Sequence, residues 1–210
     1  DCRFGGKLFV ETAVKVFISK GIKVHLAKSF ISTPMISMGV KELNASIGVV
    51  ITASHNPPEY NGYKLKGHFG GPLSSEKVEE VESLIPSEDK IYLNQVNIDV
   101  QIKKGNINIV DLEKMYLDRV KSSFDLEAIK NSGLNFAYDA MYGAGQNVMK
   151  KLFPEMTFLH CDYNPSFNDQ APEPIDKNLT ELSALIKNRK NIAAGLATDG
   201  DADRIGLYNS

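Results

Sequence analysis

The chain has 210 residues, of which 42% are hydrophobic, and its formal net charge is −2 at pH 7. This length can bury one large core or two modest ones, and we favour two domains. The nearly balanced charge, with no long run of Lys or Arg, argues against a nucleic-acid or membrane-surface partner and favours small molecules.

Cysteine usage and the lengths of the apolar runs narrow the class of protein further. Cys2 and Cys161 lie far apart and fit neither a disulfide framework nor a CxxC metal site, which favours a reducing compartment such as the cytoplasm. The apolar runs are far shorter than the ~18 residues that a membrane span needs. The chain opens on Asp1 and closes within an apolar stretch, so we expect a portion of a longer protein. No pattern indicates its oligomeric state.

The first half of the chain shows helix and strand patterns in alternation. Thr33 as an N-cap, followed by Pro34 in the first turn, is typical of a helix start, and Gly21 is typical of a helix end. The unbroken apolar run IGVVIT at 47–52 predicts a strand buried on both faces, as in a parallel sheet. In chain order, the predicted elements are a helix at 7–20, a strand at 22–27, a helix at 33–43, strands at 47–52 and 63–67, and a helix at 74–85.

The second half repeats this alternation after a segment without clear periodicity. That segment runs from residue 86 to about residue 110, so we predict domains at 1–104 and 105–210. Strands that alternate with helices predict right-handed βαβ units. The expected fold class is α/β, with two consecutive α/β/α domains that have mainly parallel sheets and are both incomplete. The elements predicted in this half are helices at 111–122, directly after the glycine turn AMYGAG at 140–145, and around 179–186, and strands at 134–139, 156–161 and 192–198.

The stretch TDGDADR, which follows the last of these strands, has the composition of a cation site. Its alternate carboxylates, at Asp199, Asp201 and Asp203, would repel one another unless a cation neutralised them, and oxygen ligands suit Mg²⁺ or Ca²⁺. An EF-hand is excluded, because the sixth position is Arg204 rather than glycine and the twelfth is Ser210 rather than glutamate. An acidic surface loop is the remaining alternative.

A second polar stretch, TASHNPPEYNGYK, follows the strand predicted at 47–52. Ser54 needs a base or a metal to act as a nucleophile, and a phosphorylated Ser54 would complete a Mg²⁺ shell left open by three aspartates. His55 and Lys64 could exchange protons beside it, since the turn at Asn61 and Gly62 is expected to bring Lys64 back to face Ser54. Each of these side chains alone is more often an ordinary turn or surface residue, so the hypothesis depends on their conjunction.

The positions of the two stretches predict a single site. Ligands of parallel sheets gather at the carboxyl ends of the strands, where both stretches lie. Asn56 and the two prolines after it would make the serine loop rigid, and rigidity holds a phosphoryl donor in line with its acceptor. Arg204 could hold a phosphate through two N–H groups.

The two stretches resemble signature loops of the α-D-phosphohexomutase family, which comprises phosphoglucomutases and phosphomannomutases. TASHNPPEYNGYK resembles the family's phosphoserine loop and TDGDADR its magnesium loop, in the family's order. Weaker similarities at DCRFGG, GGPL and APEPIDKNLTEL extend the resemblance over essentially the whole chain. It implies a four-domain enzyme of which this chain would supply most of domains one and two.

The resemblance also implies a reaction, a cofactor and residue roles. Phosphate would move between O1 and O6 of a hexose phosphate through a hexose 1,6-bisphosphate. The domains that select the sugar and bind its distal phosphate would follow Ser210, so the chain alone is predicted to be inactive and the preferred hexose stays open. The implied roles are the phosphoryl carrier (Ser54), the Mg²⁺ ligands (Ser54, Asp199, Asp201 and Asp203), phosphate or substrate binding (Arg204 and Asn56), and acid–base or positioning groups (His55 and Lys64).

Two other classes of protein stay open. A Mg²⁺-dependent phosphatase with an aspartate nucleophile would keep its hydrolytic activity when Ser54 is replaced by alanine. A non-catalytic domain pair that binds phosphosugars or a protein partner would carry no phosphate on Ser54 and would bind its ligand without Mg²⁺. Neither alternative explains the serine loop.

Overall fold

A computed structural model of the chain describes residues 1–88, 92–189 and 191–209. Parts of two expectations, the segment 86–110 without periodicity and the EF-hand test at Ser210, fall on residues outside this description. The helices are α1 (Gly6–Ser19), α2 (Thr33–Glu42), α3 (Ser75–Ser83), α4 (Ile98–Lys103), α5 (Leu112–Ser123), α6 (Leu126–Lys130), α7 (Gln146–Leu152) and α8 (Thr180–Asn188). The strands are β1 (Val24–Ala27), β2 (Ile47–Ile51), β3 (Tyr63–Gly67), β4 (Ile107–Val110), β5 (Asn135–Asp139), β6 (Thr157–Leu159), β7 (Ile192–Thr198) and β8 (Ile205–Asn209).

The second half contains a four-stranded sheet in the order β6, β5, β7, β8. The first three strands are parallel and β8 joins the edge antiparallel to β7. Helix α8 covers this sheet with Leu182 and Ile186, which pack on Ala137 and Ala197 in one buried cluster. The apolar spacing within α8 places both of its side chains on one face, so the helix shields the sheet from water.

The first half pairs its strands in two separate two-stranded sheets. Strand β1 lies parallel to β4, whereas β2 and β3 form an antiparallel pair. The prediction that IGVVIT pairs as a parallel strand is therefore wrong for its pairing with β3. The chain turns back after Ile51, so Tyr63–Gly67 lies antiparallel beside it. Parallel pairs still outnumber antiparallel pairs within the described residues, so the expected α/β class with mainly parallel pairing is confirmed.

Residues 98–110 form two elements that the sequence pattern does not predict. Asn97 caps α4 by accepting a hydrogen bond from the Val100 N–H group at 3.1 Å. Strand β4 then pairs with β1 from Val24 opposite Ile107 onward, which attaches this segment to the first half. The domain boundary between residues 104 and 105 remains a prediction.

The two halves share a hydrophobic cluster. Its buried side chains come from the loop before α2 and from α2, α5 and α7: Ile31, Met35, Leu112, Leu117, Val148 and Leu152. Burying apolar surface contributes about 25 cal/mol per Å², so this cluster helps to hold the two halves together. No described helix is both long enough and apolar enough to cross a membrane.

Candidate functional site

The loops after β2 and β7 meet, as their strand-end positions predict. The Ser54 Oγ donates a hydrogen bond to Asp199 Oδ2 at 2.7 Å, although the two residues are 145 positions apart. Ser54 is 7% exposed and Asp199 is fully buried. A hydroxyl held this firmly against a carboxylate differs from an ordinary turn serine, whose side chain faces water.

The backbone at Ser54 adopts an unusual conformation. Its φ angle is 55°, in the left-handed region that non-glycine residues rarely adopt. The Ser54 N–H group donates to Thr52 Oγ1 at 2.9 Å, which helps to hold the turn. Strained backbone of this kind persists only where the surroundings impose it, and it is concentrated at functional sites.

The three predicted aspartates form one cluster at the end of β7. One carboxylate oxygen from each of Asp199, Asp201 and Asp203 lies within 4.8 Å of the others. The loop wraps around Asp199, whose Oδ1 accepts the N–H groups of Asp203 and Arg204, both at 3.1 Å. Asp199 and Asp201 are fully buried, whereas the Asp203 side chain is 30% exposed. The cluster could hold a metal ion with its open side toward Asp203.

The two carboxylate oxygens of Asp201 differ in their hydrogen bonding. Its Oδ2 accepts hydrogen bonds from Thr33 Oγ1 at 2.6 Å and from Lys64 Nζ at 2.9 Å. Its Oδ1 is buried without any hydrogen-bond partner, the one such side-chain atom among the described residues. Leaving a buried charged oxygen unpaired is costly, and an oxygen-binding cation at this position would satisfy it.

The surroundings shift the pKa values of the two buried carboxyls in opposite directions. Burial raises the pKa of Asp199, because the charged form loses its contact with water, and the neighbouring Asp201 raises it further. Burial also acts to raise the pKa of Asp201. There, however, hydrogen bonds from Thr33 and Lys64 outweigh it and lower the pKa to about 2. The surroundings therefore favour the charged form of Asp201 and disfavour the charged form of Asp199.

Two cationic side chains border the serine and the aspartates. Arg204 contacts Ser54 Oγ through Nη2, and its Nε lies 3.2 Å from Asp199 Oδ2. Lys64 Nζ lies 2.9 Å from Asp201 and 3.6 Å from Asp203, so it contacts the carboxylates rather than Ser54, toward which it was expected to point. Both cations are partly exposed and could approach an anion placed next to the serine.

The remaining predicted site residues lie at the rim. His55 contacts Arg204 Nη2 through Nδ1, and its Nε2 lies 4.0 Å from Glu173 Oε1 of the second half. Asn56 is exposed, and the hydrogen bonds recorded for it are made by its backbone. The acid–base role of His55 and the binding role of Asn56 remain predictions.

Two residues that contact the site are not among the site residues predicted from the sequence. Thr33 was expected to cap α2, but it is the first helical residue and its hydroxyl binds Asp201 instead. Arg3 is buried beneath the serine loop and donates to the Ser54 carbonyl at 2.6 Å. The similarity of DCRFGG to a family element was the one sequence signal that included Arg3, and it assigned no function to this residue.

Fold and site together define an α/β protein. Its first half contributes a serine, its second half contributes a cluster of aspartates that could hold a cation, and the two meet at the ends of strands. Residues 1–92 match the family pattern described as phosphoglucomutase/phosphomannomutase, alpha/beta/alpha domain I, and residues 114–210 match domain II of the same family. The chain therefore belongs to the phosphoglucomutase/phosphomannomutase family. The match confirms the resemblance inferred from the two loops.

Curated relatives are similar to almost the entire chain. A phosphoglucomutase of Staphylococcus haemolyticus is 31% identical, and the match covers 99% of this chain and 39% of that protein. A phosphoglucomutase/phosphomannomutase of Thermococcus kodakarensis is 32% identical, with coverage of 97% of this chain and 44% of that protein. The chain thus spans less than half the length of these relatives.

Solved structures give the same result for the fold. A Thermus thermophilus protein assigned as a phosphomannomutase superposes with a TM-score of 0.86 at 32% identity, covering 98% of this chain and 46% of that one. The open form of pp63/parafusin, a Paramecium phosphoglucomutase, superposes with a TM-score of 0.80 at 20% identity, covering 100% of this chain and 44% of that one. The second likeness concerns the fold alone.

Proposed function

We propose that this chain is the catalytic-serine and metal-binding portion of a phosphohexomutase, which interconverts hexose 1-phosphate and hexose 6-phosphate. The observation that carries the proposal is the hydrogen bond between Ser54 Oγ and Asp199, which joins the serine loop to the acidic cluster. Membership of the phosphoglucomutase/phosphomannomutase family supports it. The partner is then a small sugar phosphate rather than a nucleic acid or a membrane, and the proposed compartment is the cytoplasm.

Ser54 is proposed to carry the phosphoryl group. In the first transfer, the P–O bond to Ser54 Oγ breaks as a P–O bond to a sugar hydroxyl forms; the sugar hydroxyl loses its proton and Ser54 Oγ gains one. The product is a hexose 1,6-bisphosphate. In the second transfer, the P–O bond between the other phosphate and its sugar oxygen breaks as a P–O bond to Ser54 Oγ forms; the Ser54 hydroxyl loses its proton and the sugar oxygen gains one. The left-handed backbone at Ser54 supports this role, because a fixed orientation favours in-line transfer.

Asp199, Asp201 and Asp203 are proposed to hold Mg²⁺ together with the phosphorylated Ser54. The donor set fits, since it consists of carboxylate oxygens and includes the unpartnered Asp201 Oδ1. When bound, the ion would neutralise negative charge on the transferring group. Within the protein, the contact from Thr33 keeps the Asp201 carboxylate oriented toward the other two.

The cationic and imidazole groups complete the proposed machinery. Arg204, which contacts the Ser54 hydroxyl, would bind the phosphate on it. Lys64 and His55 would exchange protons with the sugar hydroxyl or position the phosphate. Asn56 would bind phosphate or substrate from the exposed rim. We further propose that residues 1–210 alone do not turn over substrate, since the remaining parts of the longer relatives would supply sugar recognition.

The direct test is peptide-resolved mass spectrometry of the full-length protein that contains this chain. We expect phosphate on Ser54 after incubation with a hexose 1,6-bisphosphate and Mg²⁺, and loss of that phosphate on exposure to a hexose monophosphate. The peptide that contains Ser74 and Ser75 serves as an internal control and should stay unmodified. An unmodified Ser54 under every condition would refute the carrier role.

Mg²⁺ should raise the thermal stability of the full-length protein. An ion that binds only the folded state at 100 times its Kd adds about 2.7 kcal/mol to the free energy of unfolding. Asp203→Asn removes one carboxylate charge, so we expect it to weaken Mg²⁺ binding about tenfold, or about 1.4 kcal/mol. A melting series in Mg²⁺ measures both effects.

The matched control for this series is Asp118→Asn, which removes an exposed carboxylate on α5 that pairs with Lys114 far from the cluster in sequence. It should leave the Mg²⁺-dependent shift unchanged. An equal shift for Asp203→Asn and the wild-type protein would exclude Asp203 from the metal ligands.

A further inference from the structure

Arg3 is the most extensively bonded side chain beneath the serine loop. Its side chain is fully buried. The Nη2 atom donates to the carbonyl of Ser54 at 2.6 Å, and Nη1 lies 3.2, 3.0 and 3.0 Å from the carbonyls of Asn56, Pro57 and Tyr60. One guanidinium group therefore holds the backbone of the loop at four points.

A second chain of hydrogen bonds leads from Arg3 to the N–H group of Ser54. The Arg3 Nε donates to Asp1 Oδ2 at 3.0 Å, and that carboxylate oxygen also accepts the Thr52 hydroxyl at 2.8 Å. Thr52 Oγ1 in turn accepts the Ser54 N–H group. Both the N–H and the carbonyl of Ser54 are thus tied to Arg3, which fixes the backbone on either side of the reactive hydroxyl.

Arg3 also contacts the second half of the chain. Its Cζ lies 4.9 Å from the centroid of the Phe167 ring, a distance typical of a cation–π contact. Phe167 is 2% exposed and lies in the long loop that precedes α8. Gly200, between two of the aspartates, approaches so closely that a Cβ atom there would lie 3.3 Å from Arg3 Nη2. The guanidinium is therefore packed between the serine loop and the aspartate loop.

We propose that Arg3 is a positioning residue for phosphoryl transfer: it locks the left-handed backbone of Ser54 so that the hydroxyl stays directed at the aspartate loop. This inference rests on the proposed function, because it assigns Arg3 to the same reaction. Arg3 has no access to substrate and acts through the orientation of Ser54. Displacing a reacting group by about 1 Å can lower a rate on the order of 100-fold.

Lysine cannot replace arginine in this role. A guanidinium presents five N–H donors in a rigid plane, whereas an ammonium has three donors at one point on a flexible stem. The carbonyls that Arg3 reaches belong to Ser54 and to residues after it in the loop, and they are served by two different nitrogen atoms. Arg3→Lys would keep the charge and leave several of these carbonyls unpaired.

The test compares Arg3→Lys and Arg3→Ala with the wild-type full-length protein. We expect kcat to fall about 100-fold in both variants while the KM for hexose monophosphate changes less than about threefold. Guanidinium ion at millimolar concentration should restore at least about tenfold of the lost kcat in Arg3→Ala, because it can enter the vacated site, whereas ammonium should not. Arg119→Lys, at an exposed ion pair with Glu42, is the matched control and should retain wild-type kcat.

The outcomes separate this inference from the proposed function. A wild-type protein without transfer activity refutes the proposed function itself. A normal wild-type protein together with kcat within about threefold for Arg3→Lys overturns the positioning role. If the Arg3 variants do not fold, Thr52→Val decides, because it removes the hydroxyl that links Asp1 to Ser54 while keeping the side-chain volume. A drop in kcat of about tenfold with unchanged KM supports the role, and unchanged kcat overturns it.

Discussion

Replacing Ser54 with alanine in the full-length protein is expected to lower hexose phosphate isomerisation by about 10⁴-fold or more. The substitution removes the oxygen proposed to carry the phosphoryl group, and removal of a catalytic nucleophile elsewhere has costs of this order. The KM for hexose monophosphate should change little, since the hydroxyl contacts Asp199 and Arg204 rather than a binding pocket for the sugar. A coupled assay of kcat and KM measures both quantities.

Ser83→Ala is the matched control, because Ser83 lies on the exposed face of α3 and its hydroxyl bonds within its own helix, to the Glu80 carbonyl. It should behave as the wild-type protein does. Retained hydrolysis of sugar phosphates in Ser54→Ala would instead favour a phosphatase with an aspartate nucleophile. Retained ligand binding without Mg²⁺ dependence would favour a non-catalytic binding protein.

Gly200→Ala is expected to lower kcat about 100-fold and the free energy of unfolding by about 1–3 kcal/mol. A Cβ atom at this position would lie 2.5 Å from the Ser54 carbonyl oxygen and 3.0 Å from Pro172 Cγ. Because the nearest atom belongs to the backbone, the serine loop and the aspartate loop must move apart. Steady-state kinetics and urea denaturation of the full-length protein test the two effects.

Gly6→Ala provides the control for the Gly200 substitution. Gly6 begins α1, and a Cβ atom there would meet just one atom within 4 Å, the Asp1 carbonyl oxygen at 3.8 Å. Alanine should be tolerated or slightly stabilising at this helical position. Equal kcat values for the two variants would contradict the close packing between the loops.

Local patterns predicted most helices of this fold. Apolar spacing located α1 and α8 within one or two residues, and Pro34 marked the start of α2. These signals succeed because a helix is specified by neighbours in sequence, through its periodic apolar face and its end residues. Helix α6, Leu126–Lys130, was missed because five residues are too few to show a period.

Strand partners could not be read from the same local patterns. The run Ile47–Ile51 shows the apolar character of a buried strand, but its partner is fixed by where the chain returns after the serine loop. Strand β4 has only four residues, of which Ile107 is buried and Ile109 is exposed. Its partner β1 lies about 80 residues earlier in the chain, and no local sequence pattern indicates this pairing.

Chemistry made the site easier to predict than the strand pairing. Clustered carboxylates and a serine in a proline-rich turn are unusual enough to stand out, and the structure brings Ser54 and Asp199 together. Arg3 and Thr33 did not stand out, because an arginine near the start of a chain and a threonine at a helix start are common residues, and the partners of these two lie far along the sequence. Their importance depends on tertiary contacts.

The long separation between Ser54 and Asp199 has a consequence for protein synthesis. A ribosome makes the serine loop first, and about 145 further residues must leave the exit tunnel before its carboxylate partner is available. Domains generally fold as units in the order in which they emerge, so the hydrogen bonds from Arg3 to the serine loop can form while Phe167 and Gly200, which pack against the guanidinium, are still untranslated. A nascent chain arrested at residue 150 would lack all three aspartates, and its Ser54 hydroxyl would have no carboxylate from that loop to bind.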